Sequence, residues 1–142
     1  MIEISAGGVV YSNQGDQLFI QLIEDRYGKM TLAKGKQEPG ETIEETALRE
    51  ILEETSVQGR LIQPIEIVHY TYNHPATAEI INKEVHYYLV EALTEDLTAQ
   101  VEEIKAVHWY APLEAWANQQ KKGYKNNEIV LQKALAHLGI NV

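Results

Sequence analysis

The chain contains no cysteine. That excludes a disulfide framework, a thiolate metal site and a cysteine nucleophile. Basic residues are scarce: 12 lysines and arginines stand against 21 aspartates and glutamates, for a net charge of −9. A binder of duplex nucleic acid carries a basic footprint, and this balance is the opposite. The acidity does not bar a phosphorylated small molecule; it implies that cations mediate the contact. No apolar run approaches the length of a membrane span. The opening MIEISAGG sets no basic stretch before its apolar residues, so it does not read as a secretory signal. A cytoplasmic protein without a membrane partner is the expectation. No histidine stands four residues from another, which removes a helical histidine pair for zinc. Repeats, low-complexity tracts and linkers are also missing.

What is there suits one globular domain, 1–142. Hydrophobic residues make up 44% and charged residues 23%, ordinary values for a chain of 142 residues that buries a single core. Its organising stretch is Gly35 to Val57, GKQEPGETIEETALREILEETSV. Gly35 to Glu41 reads as a loop, with two glycines, a proline and no apolar period. Thr42 to Thr55 reads as a helix. Thr42 and Glu45 have capping-box spacing, which makes Thr42 the N-cap. Ile43, Ala47, Leu48, Ile51 and Leu52 recur at helical spacing as an apolar stripe. Glu50, Glu53 and Glu54 stand at i, i+3 and i+4 on a face beside that stripe. Only one cation, Arg49, lies in the helix to offset them. Crowded hard oxygen donors with too little counter-charge are what a divalent cation such as Mg²⁺ requires.

The stretch resembles the Nudix box, G-x5-E-x7-R-E-U-x-E-E-x-G-U, with U a bulky aliphatic residue. Gly35, Glu41, Arg49, Glu50, Ile51, Glu53, Glu54 and Val57 fall on its fixed positions. One position departs: Ser56 stands where the box has its second glycine. A glycine there lets the chain turn with positive φ after the helix, and serine does so less readily. The approach, MTLAKG, resembles the W-x-L-P-K-G of many relatives through Leu32, Lys34 and Gly35. Met30 and Ala33 replace the tryptophan and proline.

Along the rest of the chain, Ile2–Tyr11 reads as a buried strand whose Gly7-Gly8 marks a bulge or a close backbone approach. A turn over Ser12–Asp16 and a return strand over Gln17–Ile23 follow. Gln58–Tyr72 reads as strand interrupted near Pro64, Asn73–Asn82 as loop, Lys83–Leu93 as strand, and Thr94–Lys105 as a polar, acidic segment. Val107–Tyr110 is a short strand. Pro112 opens a helix through Ala117, Asn118–Asn127 reads as a polar loop, and Glu128–Leu138 as an amphipathic helix ended by Gly139. Strands mixed with helices give an α/β or α+β class. The resemblance implies the Nudix α/β/α sandwich with a mixed sheet.

It also implies an activity: hydrolysis of a nucleoside diphosphate linked to another moiety, at a P–O–P bond, with Mg²⁺ or Mn²⁺ as cofactor. Glu50, Glu53 and Glu54, with the Gly35 carbonyl, are then the expected metal ligands. Arg49 orients Glu53 or Glu45. The general base is a box glutamate or a glutamate on a later loop, and there Glu103 leads with Glu102 as its competitor. Glu103 precedes Trp109 at a spacing similar to that in relatives cleaving dinucleoside polyphosphates. Lys34, Lys36 and Arg26 are expected to meet phosphate as point charges. Of the tyrosines Tyr70, Tyr72, Tyr87 and Tyr88, the pair Tyr87 and Tyr88 is expected to offer a face to a base. A dinucleoside polyphosphate such as diadenosine tetraphosphate is the favoured substrate. ADP-ribose, nucleoside triphosphates and RNA 5′ ends are the alternatives, and a nucleotide-sensing domain is the non-enzymatic one. The chain is expected to act as a monomer or homodimer.

Overall fold

A computed structural model describes residues 2–99 and 102–142. Strands β1 (Ile2–Gln14) and β2 (Gln17–Asp25) form a hairpin. Gln14 pairs with Gln17, so the turn is only Gly15-Asp16, with Gly15 at φ 65°. The turn is therefore tighter than the five-residue turn expected from the sequence. Glycine at positive φ is what a two-residue hairpin demands. The approach to the box forms two short strands, β3 (Met30–Thr31) and β4 (Ala33–Lys36). Helix α1 spans Ile43–Thr55. Strands β5 (Gly59–Asn73), β6 (Ile80–Ala92) and β7 (Ile104–Tyr110) follow, then α2 (Pro112–Lys122), a 3-10 turn at Lys125–Asn127 and α3 (Glu128–His137).

The strands make one mixed sheet in the order β3-β2-β1-β6-β5, with β4 also on β1 and β7 also on β2. Among the described strand pairs, β1 and β6 run parallel and the rest antiparallel, and Met30 of β3 makes an isolated parallel bridge to Gly123. Side chains alternate across β1 as the pleat requires. Ala6 and Val10 join Ile23, Ala33, Ala47, Ile51, Tyr88 and Val90 in the core layer under α1. Val9 and Tyr11 join Ile20, Leu22, Val85, Tyr87, Leu89, Val130, Leu131 and Leu135 in the layer against α2 and α3. The result is an α/β/α sandwich. Gly7 resolves the choice between bulge and close approach: a Cβ there would sit 1.9 Å from the Ala33 carbonyl oxygen. Close approach wins, and it lets β4 lie against β1.

Helix α1 is capped as its sequence predicts. Thr42 Oγ1 accepts from the Glu45 N–H at 3.1 Å, and Glu45 Oε1 accepts from the Thr42 N–H at 2.9 Å. Its buried face is Thr46, Ala47, Ile51 and Thr55. Leu52, placed in the apolar stripe from spacing alone, is 44% exposed. Ile51 is fully buried, so its truncation to alanine would cost about 2–5 kcal/mol. Two boundaries move. Helix α2 runs on through residues 118–122, expected as loop, and ends on Lys121 and Lys122, which suit a helix C-terminus. Strand β6 begins at Ile80, inside the expected loop, because the long hairpin with β5 extends its ladder to Asn73↔Ile80. Among the described residues no helix is long and apolar enough to cross a membrane.

Candidate active site

The last two turns of α1 and strand β4 build the site together. Gly35 lies in β4 opposite Ala6 of β1, and its missing side chain is filled by Glu50. A Cβ on Gly35 would stand 2.1 Å from Glu50 Cδ. One residue earlier, the Lys34 N–H donates to Glu54 Oε1 at 2.9 Å. Thus β4 sets two of the three helix carboxylates.

Arg49 sets the third, Glu53, and bonds Glu50 and the loop residue Glu41 as well. Its Nε donates to Glu41 Oε2 at 2.5 Å and its Nη2 to Glu41 Oε1 at 3.0 Å, a fork-on-carboxylate pair. Nη2 also reaches the Lys36 carbonyl at 3.0 Å, while Nη1 donates to Glu50 at 2.8 Å and Glu53 at 3.2 Å. Of the two expected partners, Glu53 or Glu45, Arg49 meets Glu53 and not Glu45, which is spent in the capping box. Glu41 takes its place, and the bonds from Arg49 and Thr46 hold the Glu41 carboxyl down at about 2.

Electrostatics separate the glutamates. Burial raises the Glu54 carboxyl to about 8; the charges of Glu50 and Glu103 push the same way, against the Lys34 N–H bond and ammonium. Burial also raises Glu50, against the pull of Arg49. The carboxyls at this end of the helix therefore repel one another, and Arg49 compensates only part of the charge. As the side chains lie, no group of three or more histidine, aspartate or glutamate side chains among the described residues is disposed to hold a metal ion. Glu50 and Glu53 are turned to Arg49.

Glu54 opens into a cleft of about 430 Å³ on the α2–α3 face of the sheet. Lys34, Glu54 and Glu103 line it together with Val68, Val85, Tyr70 and Tyr87 of the sheet and with Asp25, Tyr124 and Asn126. Burial lowers the Lys34 ammonium, and the nearby Lys83 charge adds to this. Glu102, the competitor of Glu103, is exposed and does not line the cleft.

Three expected binding residues lie elsewhere. Lys36, at the end of β4, is exposed and pairs with Glu3 at 3.1 Å; Lys34, two residues earlier on the same face of the strand, is the one that lines the cleft. Arg26 is exposed, its guanidinium 5.0 Å from the Tyr27 ring centroid. Tyr88 packs on the opposite face, in the core layer beneath α1, because adjacent strand residues point to opposite sides of the sheet. Tyr87 does line the cleft, buried, with its hydroxyl donating to Asn127 Oδ1 at 3.3 Å. Sequence reasoning missed Asp25, Tyr124, Asn126 and Lys83. The turn residue Asp25 and the segment 123–127 carry no period that marks a site. Lys83, only 12% exposed and 2.9 Å from Glu3, reads in sequence as a strand end.

Comparison with known proteins bears on the family and the fold. The chain is 34% identical over 114 residues to the Mycobacterium tuberculosis protein that carries the mutator name MutT4. That match takes in 75% of this chain but 45% of the relative, so the chain spans less than half of the relative's length. The fold superposes on a C. elegans Ap4A hydrolase with a TM-score of 0.75, at 23% identity, over 96% of this chain and 98% of that one. It superposes on the NUDIX domain of Shewanella oneidensis NrtR, solved with ADP ribose, with a TM-score of 0.73, at 17% identity, over 97% and 89%. The profile of the NUDIX domain matches residues 1–133, and with the box residues placed on α1 and β4 as described, the chain belongs to the NUDIX domain family.

Proposed function

We propose that the protein is a metal-dependent pyrophosphohydrolase. It cleaves a nucleoside diphosphate linked to another moiety, and a dinucleoside polyphosphate such as diadenosine tetraphosphate is the favoured substrate. The observation that carries this reading is one cleft lined by Glu54, Lys34 and Glu103 together with Tyr70, Tyr87 and Tyr124.

The donor chemistry fits a hard divalent cation, Mg²⁺ first and Mn²⁺ as substitute. All the candidate donors are oxygens; burial raises the Glu50 and Glu54 carboxyls, and the neighbouring carboxylates add to it, so a cation there would meet acids that gain from positive charge. Glu50, Glu53, Glu54 and the Gly35 carbonyl would hold the metal. Such an ion supplies positive charge to the phosphate oxygens and acidifies water.

The protein's own groups do the rest. Arg49 keeps Glu50 and Glu53 in register with Glu41. Lys34 offers its ammonium to the phosphate chain as a point charge. Glu103 accepts the proton of the attacking water at its carboxylate, from the side of the cleft facing Glu54. Tyr70, Tyr87 and Tyr124 give a base an apolar surface. Diadenosine tetraphosphate would then be split asymmetrically into ATP and AMP.

The test is kcat/KM for diadenosine tetraphosphate, ADP-ribose and a nucleoside triphosphate at one pH and one Mg²⁺ concentration. Diadenosine tetraphosphate should lead. A tenfold win for either other substrate would overturn the favoured substrate and leave the pyrophosphohydrolase. Binding without turnover of any of them would instead favour a sensing domain, the role open to a fold that hosts several functions.

A further inference from the structure

One wall of the cleft is tied together by a side chain that the chemistry above leaves unused. Asp25 ends β2 where the register against β7 shifts, between Glu24 and Asp25. Both of its carboxylate oxygens are engaged. Oδ1 accepts the N–H groups of Tyr27 at 2.9 Å and Lys29 at 3.0 Å, which closes the turn between β2 and β3. Oδ2 accepts the Tyr124 hydroxyl. The Lys29 ammonium lies 5.2 Å from the Tyr124 ring centroid, so the ring is held from two directions. On the other side of the same turn, the Arg26 N–H donates to the Glu103 carbonyl at 3.0 Å.

The turn is thus bonded to the two parts of the cleft that come from distant sequence. Tyr124 belongs to the connection between α2 and α3, and Glu103 to the entry of β7. Asp25, Glu103 and Tyr124 all line the one cleft. A carboxylate needed only to close a turn would use its acceptor on the two turn N–H groups and leave the other oxygen to solvent. Here that second oxygen is given to Tyr124. Burial works to raise the Asp25 carboxyl, but the bonds from Tyr124, Lys29 and Tyr27 outweigh it and leave it below the ordinary aspartate value.

We propose that Asp25 is a positioning residue of the hydrolytic site, which sets Glu103 at the phosphate end and Tyr124 at the base end through one turn. The proposal rests on the reading of the cleft as the substrate site of a hydrolase. Loss of the Asp25 carboxylate would therefore disturb two kinetic quantities at once. A loosened Glu103 slows the chemical step, and a loosened Tyr124 weakens binding. Tyr124→Phe removes only the second arm.

The experiment compares Asp25→Ala, Tyr124→Phe and the double variant, on whichever nucleotide the wild-type protein hydrolyses fastest. Tyr124→Phe should raise KM several-fold with kcat within twofold of wild type. Asp25→Ala, which removes both acceptor oxygens, should raise KM by as much and also lower kcat by about tenfold. Adding Tyr124→Phe to Asp25→Ala should change KM no further, since the shared bond is already gone. An unchanged kcat in Asp25→Ala, or equal kcat losses in both single variants, overturns the two-armed role. Asp25→Leu, close to aspartate in size and without an acceptor, replaces Asp25→Ala should the latter not fold. Amide hydrogen exchange supplies a readout that needs no substrate: the Arg26 N–H should exchange at least tenfold faster in Asp25→Ala than in Tyr124→Phe. Equal Arg26 exchange in the two variants overturns the clamp. A wild-type protein that hydrolyses no nucleotide overturns the hydrolase reading instead, and Arg26 exchange then decides the clamp alone.

Discussion

Gly35 and Glu50 share one space: a Cβ on the glycine would lie 2.2 Å from one Glu50 carboxylate oxygen and 2.4 Å from the other. The fixed glycine of the box is thus a steric requirement of its glutamate. Gly35→Ala should fold, because the obstructing atoms are the far end of a flexible side chain. It should displace the Glu50 carboxylate and lower kcat on the order of 10²-fold, the usual cost of a misplaced group in a site of this kind. Thermal unfolding and steady-state kinetics on the same preparation check both halves.

The lysines flanking Gly35 should behave differently. Lys34→Ala removes an ammonium from the cleft and should raise KM more than it lowers kcat, as loss of uniform binding does. Lys36→Ala removes an exposed ion pair with Glu3 and should leave kcat/KM within about twofold. Equal KM effects for the two would contradict the placement of Lys34 in the cleft and of Lys36 outside it.

Glu54 gives a pH signature. Its carboxyl is raised by burial to about 8, above its ordinary value of 4.5. Between those values the folded protein binds more protons than the unfolded chain, so stability falls as pH rises. This part of the stability is fully present below about 4.5 and lost as pH climbs through about 8. Metal-free protein should show a Tm declining across that window. Mg²⁺ affinity should rise across it, since the ligand must shed its proton. Glu54→Gln should flatten both trends in calorimetry and metal titration.

Ser56 follows α1 at φ 70° and ψ 5°, a left-handed conformation. Its N–H closes the helix on the Leu52 carbonyl at 2.9 Å. An L-residue in that conformation is strained by about 1 kcal/mol. Ser56→Gly should therefore raise stability by up to about that amount with kinetics unchanged. A clear loss of stability, measured by urea unfolding, would show that the serine side chain contributes more than its strain costs.

The parts legible in the sequence were those written in local spacing. The Thr42–Glu45 cap, the α1 helix and the positive φ at position 56 depend on neighbours within a turn, so the pattern carries them. Facing in the sheet was harder. Tyr87 and Tyr88 differ only in strand parity, and Lys34 and Lys36 share a face of β4 and differ only in how far along it the cleft reaches; a composition-level reading assigned all four to the substrate. Helix α2 ran past its expected end because a polar surface helix and a polar loop have the same composition. Asp25 and Tyr124 meet from opposite parts of the chain through a hydrogen bond between side chains. No local pattern encodes such a pair; it exists only once β2, β7 and α2 are assembled.

Strand β1 is bonded on its two edges to β2, β4 and β6, and its parallel partner lies far along the chain, Ile2 with Asn82. Closing that loop is a long-range entropic cost that must be met before the centre of the sheet exists. The hairpins β1–β2 and β5–β6 can each form early, but neither has a core until β1 and β6 dock. Helix α1 sits on that junction, with Ile51 packed among Val10 of β1 and Val90 of β6 in one layer. Folding and competence to bind substrate should thus arrive in a single late step, and a truncation within β6 would abolish both rather than leave a partly active box.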